Sequence, residues 1–214
     1  MKTLSTLRSL ASGAAVLTML SGAGCKNSST SPMLEDGAEH QGISDAEALG
    51  DREIMGVLSA IDTGEITQGT LARMQAVDPT VRAFAESMVT MHTQSSARLT
   101  SLAQRIDMTP QDSARSRALA ADATATHQRL SGLTGAAFDR AYIEAQVTQH
   151  THALDLIDHT LVPEAHNQEL RAALTNDVRP MVDTHLQQAR GIANRIDVSA
   201  PPPEGTNGQR TITR

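Results

Sequence analysis

The chain has 214 residues, a single cysteine, no tryptophan and a formal net charge of −6. That length accommodates one ordinary domain with appendages. The lone cysteine excludes an intramolecular disulfide, and an acidic balance without runs of Lys or Arg excludes the electrostatic footprint of a nucleic-acid binder.

Residues 1–24 have the pattern of an export signal. Lys2 and Arg8 form the positive start, Leu10 to Leu20 the apolar run, and Ser21 to Gly24 the small-residue cleavage zone. The run is too short to span a bilayer. Cys25 follows at once and opens a polar, Ser-rich stretch, an arrangement similar to a bacterial lipoprotein signal whose cysteine is lipidated after cleavage; Gly22 stands where such signals usually carry Leu. The expectation is a lipid anchor at Cys25 that ties an exported protein to the membrane, in the periplasm or at the outer membrane. Soluble secretion with a free thiol is the alternative. Residues 25–50 have few apolar positions and no sustained period, and read as a flexible tether.

The domain proper is expected over residues 51–196. Its only aromatics are Phe84, Phe138 and Tyr142, so its core must be Leu, Ile, Val, Met and Ala, which favours helices because strands recruit aromatic and β-branched residues. A first helix from about Asp51 to Ala76 places Ile54, Leu58, Ile61, Glu65, Gln68 and Ala72 on one stripe. Gly64 and Gly69 weaken that helix by about 1 kcal/mol each relative to Ala, or permit close packing. Asp78-Pro79 is a start signal for a second helix, with Val81, Ala85, Met88, His92, Ser95, Leu99, Leu102 and Ile106 on its stripe. Thr109-Pro110 repeats the signal and opens a more polar helix to about Leu130, expected on the outside. Gly132 to Gly135 breaks the chain before a fourth helix, from about Ala136 to Leu161, with Ile143, Val147, His150, Leu154, Ile157 and Leu161 in register and Pro163 ending it. The last helix, from about Gln168 to Ile196, carries Leu174, Val178, Met181, His185, Ala189, Ile192 and Ile196, and Pro180 inside it predicts a kink or a junction near Asp177 to Pro180. Residues 197–214, with Pro201 to Pro203 and Gly205, read as a disordered tail.

Four long helices with one polar helix between the second and third predict an all-α, ferritin-like four-helix bundle in up-down-down-up order, the extra helix serving as the crossover. Each long helix carries one ionisable interruption on its apolar stripe: Glu65, His92, His150 and His185. The first three lie at similar depths along their helices, so a shared layer is expected. Four buried polar groups left unpaired would together cost roughly 4 to 12 kcal/mol, comparable with the stability of a whole domain. They must therefore satisfy one another, hold water or share a cation. A Glu with three His suits a single transition-metal ion such as zinc or iron. Met88 and Met181 each precede a stripe histidine by four residues, and thioether with imidazole suits copper(I), although core filling is the commoner use of Met. The alternative is a layer of hydrogen bonds that only fixes helix packing, in a structural or interaction module. His152 and His159 fall on another face of the fourth helix beside Asp155 and read as rim; His127 and His166 have no evident partners.

The residues three before His92 and His185 are Val89 and Val182, so the Glu-x-x-His pairs of a di-iron centre are missing. There is also no phosphate-binding loop, His-Glu-x-x-His helix or nucleophile elbow. A storage, buffering or stress role is expected rather than turnover, because a shell closed by four protein ligands leaves no position for a substrate.

Three blocks carry a family resemblance: Phe84-Ala85, Met88-Val89 and His92; Gly135, Phe138-Asp139, Tyr142, Gln146-Val147 and His150; and Pro180, His185-Leu186 and Ala189. Together, over about Arg52 to Asn194, they resemble domain-of-unknown-function family 4142, ferritin-like exported bacterial proteins often labelled outer membrane proteins. The resemblance implies an envelope location and a helical bundle, and carries no established activity. The family usually has Asp where this chain has Met91, and Leu where it has Arg179.

Overall fold

A computed structural model of the chain describes residues 48–198, with side chains to residue 196. The export signal, Cys25, most of the tether and the tail from residue 199 lie outside the described residues. Within them there is no strand, and no helix is long and apolar enough to cross a membrane. The described residues form five helical rods. Three are uninterrupted: α1 (Asp51–Gln75), α2 (Pro79–Arg105) and α3 (Ala114–Ser131). The fourth is α4 (Gly135–Leu156), continued by a π-helical turn (Ile157–Leu161) and the short α5 (Val162–Glu164). The fifth is α6 (Gln168–Ala173), a second π turn (Leu174–Val178) and α7 (Arg179–Val198).

The start signal at Asp78-Pro79 works as expected: the Asp78 carboxylate accepts from the Thr80 and Val81 N–H groups at 2.6 and 3.3 Å. Buried Asp139, from α4, accepts from Val77 N and Asp78 N and fixes this α1–α2 turn from across the fold. The signal at Thr109-Pro110 does not start the next helix. Residues 109–112 form a strap across the beginning of α1, where Gln111 N donates to Arg52 O at 2.8 Å and Arg52 Nε donates to Thr109 O at 3.0 Å. Helix α3 begins after Ser113, whose Oγ accepts from Ser116 N while Ser116 Oγ accepts from Ser113 N, a reciprocal cap. The strap explains Gly56: a Cβ there would lie 2.0 Å from the Gln111 carbonyl oxygen. Gly64 and Gly69 likewise mark close approaches, to Ala123 on α3 and to Val89 on α2.

Both internal prolines follow a π turn. Val162 N–H reaches back to Ile157 O, and Arg179 N–H to Leu174 O, each spanning five residues instead of four. The wider turn absorbs the bond that Pro163 or Pro180 cannot donate. The expected junction before Pro180 is this second π turn, and helix continues through Pro163 to Glu164 rather than stopping before it. Arg179 ties the two π turns together, its Nε and Nη2 donating to the two Asp158 carboxylate oxygens at 2.6 and 2.8 Å.

The apolar core falls into two clusters. One gathers Ile54, Leu58, Leu99, Leu102, Ile157, Leu161, Leu174 and Val182, and the other Ala72, Ala85, Phe138, Tyr142, Ile143, Ala189 and Ile192. Each rod other than α3 contributes to both, and between its two contributions lies a buried polar segment: Asp62 to Gln68, His92, Gln146 to His150, and His185. The order in which each rod meets the clusters gives its direction. The first and fifth rods run from the first cluster to the second, and α2 and the fourth rod run the opposite way. Helices α1 and α2 pack as one antiparallel pair and α4 and α7 as another, the pairs meeting through α2 against α7 and α1 against α4. Helix α3 lies along the outside of α1, with only Ser116 and Leu130 buried, as its polar composition demands.

Candidate metal centre

The polar layer places one histidine from α2, one from α4 and one from α7 side by side. His92, His150 and His185 are exposed by 1, 2 and 2 %, and their ring centroids stand 5.3 to 6.0 Å apart. Each offers a ring nitrogen such that the three nitrogens lie within 4.8 Å of one another. Nitrogens around a tetrahedral zinc stand about 3.4 Å apart, so the rings would close in by about an ångström to grip an ion. The helical phase of each residue is what brings it here: each sits on the stripe that carries its rod's apolar contacts above and below.

Two of the three rings are oriented by neighbours. His92 Nδ1 donates to Asp62 Oδ1 at 2.8 Å, which leaves Nε2 as a lone-pair donor that is buried and has no hydrogen-bond partner within the described protein. His150 Nδ1 donates to the Gln146 carbonyl oxygen at 3.0 Å, again leaving Nε2 free. This is the arrangement in which a carboxylate or carbonyl fixes the tautomer of a ligating imidazole and raises its basicity. His185 has its Nδ1 buried without a partner. Burial, reinforced by the neighbouring His92 and His150, pushes His185 down to a pKa of about 3. Burial also lowers His150, against the opposing pull of Glu65. Both rings are therefore neutral at physiological pH, the state a metal ligand needs.

Glu65 does not join the three imidazoles. It is buried beside them, but its Oε2 accepts from the Gln146 side-chain amide at 2.8 Å, and it is not among the converging ligand atoms. Gln68, Gln146 and Tyr142 continue the polar layer on this side. The Gln68 Oε1, Gln146 Oε1 and Tyr142 hydroxyl atoms are buried without partners in the described protein, and burial followed by the nearby Glu65 keeps the Tyr142 phenol neutral, well above its ordinary pKa. Met88 and Met181 sit in opposite apolar clusters, on either side of the histidine layer. His152 and His159 are exposed, with His159 Nδ1 3.0 Å from the Asp155 carboxylate, as the rim expectation requires.

Sequence reasoning missed Asp62. It follows Leu58 by four residues and precedes Glu65 by three, so a stripe drawn through Leu58, Asp62 and Glu65 would have found it; following Ile61 instead moved the stripe one residue off the buried face. Gln146 was visible as a residue of the most specific block, one turn before His150, but the pattern gave no reason to pair it with a carboxylate 81 positions away.

A cleft of about 500 Å³ opens between α1, α3 and α4. Buried Glu65, Gln68, His92 and His150 line its depth, and exposed His152 and Asp155 stand at its rim. The family model described as "Domain of unknown function (DUF4142)" matches residues 37–192. No curated protein and no solved structure matches the chain.

Proposed function

The chain belongs to the DUF4142 family, and on that premise we propose that it is an exported, lipid-anchored protein of the cell envelope whose ferritin-like, up-down-down-up bundle binds a single transition-metal ion through His92, His150 and His185, for storage, buffering or stress protection. The observation that carries this reading is the convergence of three buried ring nitrogens within 4.8 Å, one of them fixed in a ligating tautomer by Asp62. Buried imidazoles pointed at one another without a shared ion would each lose a hydrogen bond to water, at about 1 to 3 kcal/mol per unpaired group. A cation removes that loss by taking all three lone pairs at once. Neutral nitrogen ligands in this number suit zinc, iron or copper. The residues at 1–25 supply the support for export and anchoring: a positive start, a short apolar run, small residues and then Cys25.

Metal analysis tests the reading. Native protein purified without chelator should contain close to one equivalent of zinc, iron or copper, and the H92A/H150A/H185A variant should lose it. Metal-free native protein, binding these ions no more tightly than the variant, would overturn it.

One observation favours a second reading. Asp62 with His92, Gln146 with Glu65 and Gln146 O with His150 already pair part of the layer, as a non-catalytic structural or interaction module would need if the polar layer only fixed helix packing. In that case replacing the three histidines with Leu leaves the fold intact or more stable, and cellular metal resistance unchanged.

A further inference from the structure

We propose that the metal centre keeps one coordination position for an exogenous ligand, a small anion with water in its absence, which enters through the cleft between α1, α3 and α4. The inference rests on the three-histidine reading above and adds to it. Three observations carry it. First, the converging protein ligands number three, whereas a closed structural site of a tetrahedral ion supplies four. Second, the residue expected to supply the fourth, Glu65, is held aside by the Gln146 amide at 2.8 Å. Third, the cleft of about 500 Å³ reaches His92 and His150, two of the three ligands, and the polar side chains of Glu65 and Gln68 line it with them.

The chemistry follows from charge. Three neutral imidazoles leave the two positive charges of a divalent ion uncompensated in its first sphere, which draws a small anion to the remaining position, while the buried carboxylates of Glu65 and Asp62 oppose it, so anion and water compete there. A water molecule takes the position when no anion is present. Gln68 Oε1, on the cleft lining and buried without a partner in the described protein, offers an acceptor for a proton of such a water. Helix α3 forms the outer wall, with Arg115 and Leu119 lining the passage, which gives the extra helix a role beyond reversing the chain. A small ion passes such a cleft, whereas a macromolecular substrate does not reach the buried imidazoles.

The test uses cobalt(II) as a spectroscopic stand-in and azide as the probe anion. Full-length protein loaded with cobalt should show visible bands of an ion bound by nitrogen, and azide should shift them saturably. A Leu119→Trp substitution, which narrows the cleft without touching a histidine, should leave the cobalt bands in place and slow the azide response. Bands that azide leaves unchanged, or that respond to azide only after Glu65→Gln, would mean that Glu65 closes the sphere and would overturn the inference while leaving the metal centre standing. Absence of cobalt bands altogether would overturn the three-histidine reading itself, and this inference with it.

Discussion

Acidifying the metal-free protein should destabilise it through His185, and the size of the effect can be worked from its surroundings. In the unfolded chain an imidazole titrates near 6.5, whereas burial and two neighbouring imidazoles hold His185 at about 3 in the fold. The folded pKa is the lower one. Between the two values the unfolded state binds the extra proton, so stability is complete above about 6.5 and is lost as pH falls toward 3. At pH 5, about 1.5 units below the unfolded value, the loss from this residue is about 2 kcal/mol at roughly 1.4 kcal/mol per unit. His150, lowered in the same direction by burial, adds to it. Urea unfolding followed by far-ultraviolet circular dichroism at pH 7.5 and pH 5 measures the change. With a slope of about 2 kcal/mol per molar urea, the midpoint should fall by about 1 M. Carboxylates also titrate over this range, so the decisive comparison is with His185→Gln, whose neutral amide cannot take up the proton. The variant's midpoint should fall less between the two pH values than that of the wild type. Equal losses in both proteins would refute the claim that a neutral, buried His185 is what acid attacks.

Asp62→Asn should weaken zinc binding by about 10- to 100-fold with the helical content unchanged, since it removes the carboxylate that orients His92; isothermal titration would show this, and an affinity equal to wild type would remove Asp62 from the centre. Gly56→Ala should destabilise the fold by about 1 to 3 kcal/mol in chemical denaturation, because the new Cβ meets the Gln111 carbonyl at 2.0 Å; a neutral effect would mean the strap moves freely. Zinc at about 100 times its dissociation constant should raise the unfolding free energy by about 2.7 kcal/mol at pH 7.5, with no such gain in the triple histidine variant. Cys25→Ser should shift the exported protein from the membrane to the soluble fraction of the cell envelope; unchanged membrane association would argue against a lipid anchor there.

The number of helices, the exterior position of the polar one and the identity of the three histidines were legible in the linear chain. Helical periodicity is local: a residue's phase relative to its apolar neighbours at i±3 and i±4 fixes which side of the helix it occupies. His92, His150 and His185 therefore announce their burial before any partner is known. The start of α3 was misplaced because Thr109-Pro110 carries the same local signal as Asp78-Pro79. What separates them is a backbone bond from Gln111 to Arg52, 59 positions earlier, and no window around residue 110 contains it.

The partition of the polar layer is where tertiary structure decides. Sequence spacing puts Glu65 and the histidines on inward faces, but it cannot say which polar atoms meet. That depends on the relative height and rotation of rods joined by long connections, which packing of the two apolar clusters sets. Their outcome gives Asp62 to His92, gives Glu65 to Gln146, and leaves three imidazoles facing one another beside a cleft. The sequence by itself determined that a polar layer crosses an all-helical core and that histidines dominate it. Only the assembled rods decided that three imidazoles converge while Glu65 stays apart from them, because convergence is a property of distances between helices and the chain's own periodicity encodes only positions within one.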